Sequence, residues 1–128
     1  MDIDKLKIML KIVRDKVEMD LEGTSGMTTD VIESFDWLVE EIDEAKKEYT
    51  DKKQVYLEDE LCDIVWTVCR IIELLSKQWS IDKNRIFDRV IKKYTERVYW
   101  LKNGRLWDDI KKDQKKKLLE EQNNLENK

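Results

Sequence analysis

Leu38-Val39-Glu40-Glu41-Ile42-Asp43-Glu44-Ala45 and Glu58-Asp59-Glu60-Leu61-Cys62-Asp63-Ile64-Val65 are the two segments on which the reading of this chain turns. The first holds Glu41 and Glu44 as E-x-x-E. The second holds Glu60 and Asp63 as E-x-x-D. Residues three apart on a helix share a face. Between the segments lies Thr50-Asp51-Lys52-Lys53, a polar stretch that can turn. An antiparallel helical hairpin about residue 52 sets Glu41 against Asp63 and Glu44 against Glu60. Four carboxylates then meet at one level between two helices, where they repel one another unless a divalent cation lies among them. Oxygen ligands without His or Cys indicate Mg²⁺ or Mn²⁺.

Chance must be weighed against this. The chain is 42% charged, with 29 acidic residues, so acids three apart recur without purpose. Glu58, Asp43 and Glu73 read as solvated. Two features separate the four carboxylates from that background. Their spacing fits a hairpin register. They also border apolar positions, Leu38, Val39, Ile42 and Ala45 on one segment and Leu61, Ile64, Val65 and Val68 on the other. An unpaired charge facing a core is costly and needs a partner.

Working outward, the apolar pattern predicts four main helices. The first runs from about Asp4 to Leu21, with Leu6, Met9, Leu10, Val13 and Val17 on one stripe. Thr29 or Asp30 caps the second, and Asp30 with Glu33 has capping-box spacing. The third spans about Gln54 to Trp79 and is apolar on most sides. The fourth begins at a Ser80 cap and ends near Asn103-Gly104, a good stop. Residues 105–128 read as a polar tail with a weak helical pattern. The expected fold is all-α and four-helix-bundle-like, with a domain over 1–104 and a tail over 105–128.

Composition narrows the class. No Pro and only 3 Gly in 128 residues let helices run long. No apolar run is long enough to cross a membrane. The start, Met1-Asp2-Ile3-Asp4-Lys5, is too charged for a signal peptide. Cys62 and Cys69, on one helix, sit about 10 Å apart, too far to bridge. They read as reduced thiols in a cytoplasmic protein. A formal net charge of −4 argues against a general nucleic-acid binder. A di-iron carboxylate bundle would need Glu-x-x-His motifs, and the chain has no His.

The residues 40–44 and 60–63 resemble the signature of the MazG-like all-α nucleoside triphosphate pyrophosphohydrolases, E-E-x-x-E followed by E-x-x-D. Leu10–Asp15 is similar to that family's first helix, and Lys92–Arg97 to its basic Lys-x-x-x-Arg stretch. Departures exist: Met19–Gly26 stands where many members carry Cys-Pro-Trp-Asp, Cys62 replaces a common Gly, and no His follows Arg97. The resemblance implies a Mg²⁺-dependent enzyme that hydrolyses a nucleoside triphosphate to the monophosphate and pyrophosphate. It implies Glu41, Glu44, Glu60 and Asp63 as metal ligands. Glu40 and Glu41 are the candidate catalytic carboxylates, Glu40 being either the general base or an outer partner of the metal site. Lys93 and Arg97 share a face of helix four and are candidates for the substrate phosphates, the plainer alternative being a solvated basic stripe. Trp37, Trp66 and Tyr94 read as core before base-stacking. The resemblance and the apolar girth of helix three together imply a homodimer or homotetramer. A non-catalytic helical oligomerisation module is the alternative.

Overall fold

A computed structural model describes residues 2–128. It contains five helices and, among the described residues, no strand: α1 (Ile3–Glu22), α2 (Val31–Thr50), α3 (Gln54–Gln78), α4 (Lys83–Lys102) and α5 (Trp107–Glu126). The all-α expectation holds, and most of the stretch read as a polar tail is α5.

Local chemistry sets the helix ends. Asp2 caps α1 by accepting from the Asp4 amide at 2.9 Å. Gly23, at φ 78°, ends it and returns its N–H to the carbonyls of Asp20 and Met19. That left-handed geometry is what glycine tolerates best. Asp30, rather than Thr29, caps α2, accepting from the Glu33 amide at 3.0 Å. The turn between α2 and α3 passes through Lys52 at φ 56°. Ser80 does not cap α4. The helix begins three positions later at Lys83, because Trp79 is already extended and a bend at 79–80 separates the two helices.

The chain forms two compact units, Met1–Lys83 and Asn84–Lys128. In the first, α2 and α3 form the hairpin and α1 packs on α3. Val13, Val17 and Leu74 make its buried nucleus, with Val31, Trp66 and Cys69 packed against it. Glu73, read as solvated, is buried instead: only 5% of it is exposed, and Lys83 pairs with one carboxylate oxygen at 3.0 Å. The i, i+3 step from Arg70 carries it inward, a placement that periodicity of apolar residues does not reveal. Helix α3 is less enclosed than its apolar girth predicts. Leu61, Val65 and Val68 stay exposed in the single chain.

In the second unit, α4 and α5 meet through long side chains, one of which reaches a backbone carbonyl. No Cα of one comes within 8 Å of a Cα of the other. Ile110 is buried there, and Arg97 with Gln114 bridges the gap.

Candidate active site

The α2–α3 hairpin brings the acidic motif together. Glu41, Glu60 and Asp63 each offer a carboxylate oxygen, and these atoms lie within 4.8 Å of one another. All three residues are half-buried. The carboxyl of Glu44 lies against that of Glu60 and close to Glu41, although Glu44 itself is exposed. Helical spacing turns each pair inward, and the turn at Lys52 sets the level at which the pairs meet.

Electrostatics mark the cluster as incomplete. Burial, and then the neighbouring Glu44 and Glu41, push the Glu60 carboxyl up from 4.5 to about 7. Burial also raises Glu41, with the charge of Asp63 adding to it, while hydrogen bonding with Glu60 opposes the rise. One oxygen each of Glu41 and Glu60 is inaccessible and has no hydrogen-bond partner. Buried polar atoms are ordinarily satisfied. Four carboxylates without a nearby cation therefore keep a proton among them. A divalent ion held by these carboxylates would supply the missing charge and partners for both orphaned oxygens. The donor set is oxygen alone, which suits Mg²⁺ or Mn²⁺. The residues fit such an ion.

Glu40 and Asp43 are exposed on α2, and neither is in the group of three carboxylates that gathers. Lys93 and Arg97 lie on α4, in the second unit. Lys93 is half-buried. Arg97 is 6% exposed. Its Nε donates to Gln114 Oε1 at 2.7 Å, and its guanidinium lies 5.1 Å from the Tyr94 ring centroid and 4.7 Å from that of Trp107. Gln114 in turn donates to the Lys93 carbonyl at 3.0 Å and to Glu96 at 3.2 Å. Trp66 packs against the first unit's nucleus, and the Arg70 guanidinium stands 6.0 Å from the Trp37 ring centroid.

Sequence reading missed one buried network beside the hairpin. Arg70 Nε donates to Asp20 at 2.9 Å, Nη1 to Ser34 Oγ at 2.9 Å and Nη2 to the Thr28 carbonyl at 2.7 Å. Lys16 and Ser25 also donate to Asp20. Asp20, Ser34 and Arg70 are each almost fully buried. The network ties α1, the 23–30 loop, α2 and α3 together. The available signal was Arg70 as the one charged residue in the run Ile64–Ile72.

A family model described as the MazG nucleotide pyrophosphohydrolase domain matches residues 31–101, which spans α2, α3 and most of α4. The chain belongs to the MazG family. The four gathered acids of this MazG chain fall inside the matched region, whereas α1 and α5 fall outside it. No curated protein and no solved structure gives a significant match.

Among the described residues, no helix of this MazG protein is long and apolar enough to cross a membrane. At family level it is a nucleotide pyrophosphohydrolase and metal-dependent.

Proposed function

We propose that the protein is a Mg²⁺-dependent nucleoside triphosphate pyrophosphohydrolase that forms a nucleoside monophosphate and pyrophosphate by water attack at the α-phosphorus. The observation that carries this reading is the gathering of Glu41, Glu60 and Asp63 carboxylates, with two buried oxygens left without partners, inside the family's matched region. Glu41, Glu44, Glu60 and Asp63 would hold the metal, with Mn²⁺ as a substitute. When bound, the ion supplies Lewis-acid charge against the phosphates and lowers the pKa of a coordinated water. Glu41 orients that site from α2. Glu40 or Glu41 accepts the proton released by the attacking water. Lys93 and Arg97 are assigned to the outer phosphates, where cations offset charge building on the leaving pyrophosphate. Arg97 is the more enclosed of the two, since its Nε is bonded to Gln114 and its guanidinium lies beside the Tyr94 and Trp107 rings. Removal of aberrant nucleotides in the cytoplasm, by a homodimer or homotetramer, is the wider role consistent with this chemistry.

The test is hydrolysis of a panel of nucleoside triphosphates in ¹⁸O-labelled water with Mg²⁺, with mass analysis of both products. Label in the monophosphate is the expected result. Label only in pyrophosphate or orthophosphate overturns α-attack. A non-catalytic oligomerisation module would release neither product from any nucleotide.

A further inference from the structure

Glu41, Glu44, Glu60 and Asp63 meet across the α2–α3 hairpin, and like charges at close range push the two helices apart. A metal site there needs its carboxylates held at one level before the ion arrives. The turn through Lys52 closes one end of the hairpin. Toward the open end, Val31 of α2 packs on the nucleus of Val13, Val17 and Leu74. Apolar contact of this kind is non-directional, so it fixes the register of two helices less sharply than a hydrogen bond does.

Arg70 supplies the missing direction. Ser34 lies seven residues before Glu41, and Arg70 lies seven after Asp63. Each is therefore about two turns, or about 10 Å, from the cluster along its own helix. Arg70 Nη1 donates to Ser34 Oγ at 2.9 Å, in the same hairpin register that sets Glu41 against Asp63. The Ser34 hydroxyl donates to the Asp30 carbonyl at 3.0 Å, which leaves its oxygen oriented to accept. Ser34 is fully buried, and Arg70 is 2% exposed. Nε of Arg70 is fixed by Asp20 of α1 at 2.9 Å, and Nη2 by the Thr28 carbonyl at 2.7 Å. One planar guanidinium is thus held by α1, the 23–30 loop and α2 at once, and its rigid fork does not follow a slipping partner. A one-residue slip of α2 against α3 would break the bond to Ser34 and leave buried polar groups unpaired, which is costly. The turn at Lys52 and the Arg70–Ser34 bond therefore bracket the repelling carboxylates.

Resting on the metal reading of the cluster, we propose that Arg70 is a positioning residue for it: through Ser34 it holds α2 and α3 in the register at which their carboxylates can share an ion. None of its hydrogen bonds goes to the cluster itself. Loss of the bond keeps the helices but widens the range of levels at which the acidic pairs meet. A bound ion must then order the hairpin itself, which weakens its binding.

The test is titration of the full-length protein with Mn²⁺ in the absence of nucleotide, the free ion being followed by electron paramagnetic resonance well below every variant's melting temperature. Ser34→Ala is expected to weaken Mn²⁺ binding about tenfold, the scale on which a residue remote from a site modulates it. Arg70→Lys keeps a cation beside Asp20 but lacks the fork that reaches Ser34, and it should weaken binding to the same degree. The two changes together should weaken it no further, because each removes the same bond. Val13→Ala, in the nucleus of the same unit, lowers the melting temperature and leaves Mn²⁺ affinity unchanged. Wild-type affinity in Ser34→Ala overturns the proposal. Equal weakening by Val13→Ala overturns it too, since binding then follows stability alone, as does additive weakening in the double variant. Should Arg70→Lys fail to fold, Ser34→Ala against Val13→Ala decides the matter. A wild-type protein that takes up no Mn²⁺ refutes the metal reading, and the role of Arg70 goes with it; loss confined to the variants' expected pattern leaves that reading standing.

Discussion

Glu60 is where the charge of the acidic cluster becomes measurable. In the metal-free protein its folded pKa of about 7 stands above the ordinary 4.5, because burial and the facing Glu44 and Glu41 disfavour its anion. The folded state then binds more protons than the unfolded state between those values. Its contribution to stability is complete below the unfolded pKa and is lost as pH rises through the folded one. In EDTA, the melting temperature is expected to decline from about pH 4.5 to 7 more than in Glu60→Gln, which removes the titrating group. Mg²⁺ should raise the melting temperature most above pH 7, where the carboxylates no longer need displaced protons. Identical pH profiles for the two proteins would remove Glu60 from the cluster. Glu41→Gln, Glu44→Gln and Asp63→Asn should keep the fold and lower turnover by at least ~100-fold, the upper end of what loss of an outer partner costs a metal site.

Asp20 shows the opposite electrostatics. Burial pushes its carboxyl up, but hydrogen bonds from Lys16, Ser25 and Arg70 and the Arg70 charge more than offset this and hold it below its usual 3.8. Its contribution is present above the unfolded pKa and lost as pH falls through the folded one. Arg70→Met leaves the buried Asp20 carboxylate with only Lys16 and Ser25 on one oxygen, so a loss of about 3 kcal/mol in urea melts at neutral pH is expected. Asp20→Asn with Arg70→Met should recover part of that loss, and a purely additive double variant would contradict the pairing. The motif that identifies the family thus rests on a network absent from any motif, since Arg70 links α3 to Ser34 of α2 and to the Thr28 carbonyl.

At the scale of elements, amphipathic periodicity was enough to locate helices. Each of the four expected over residues 4–103 is present, with ends shifted by a few residues. The exception is the start of α4, where Ser80 looked like a cap but the bend after Trp79 delays the helix. The hairpin register was also legible, because two three-residue spacings and one polar turn leave little freedom. Residues 105–128 were harder. Helix α5 has few apolar positions, and what seats it is polar: Gln114 accepts from Arg97 and donates to the Lys93 carbonyl and to Glu96. Gln114→Ala would leave the buried Arg97 short of an acceptor, at a cost of about 1–3 kcal/mol. Hydrogen exchange should show α5 opening more readily in that variant while α2 and α3 keep their protection. Unchanged exchange in α5 would mean that Ile110 and the aromatic rings suffice to hold it.

At the scale of the molecule, many large apolar side chains remain exposed in a single chain. Leu61 and Val65 on α3 and Ile91 and Tyr99 on α4 are each more than 40% exposed. Monomeric proteins seldom leave large contiguous apolar patches open to water. Sedimentation at micromolar concentration is therefore expected to give a dimer or tetramer, with dissociation accompanied by loss of thermal stability. A monomer that is fully active on nucleotides would contradict this.

Sequence alone determined the helical class, the α2–α3 hairpin and the residues that form the acidic cluster. Those properties depend on local spacing: period 3.6 for a buried stripe, three residues for a shared face, a polar turn for reversal. Tertiary structure alone decided that Asp20 and Arg70 meet, that Glu73 is buried, and that Arg97 is enclosed by α5. Each of these depends on partners far apart in the chain, whose side chains look alike on a solvated surface and in a buried pair until the fold removes the water between them.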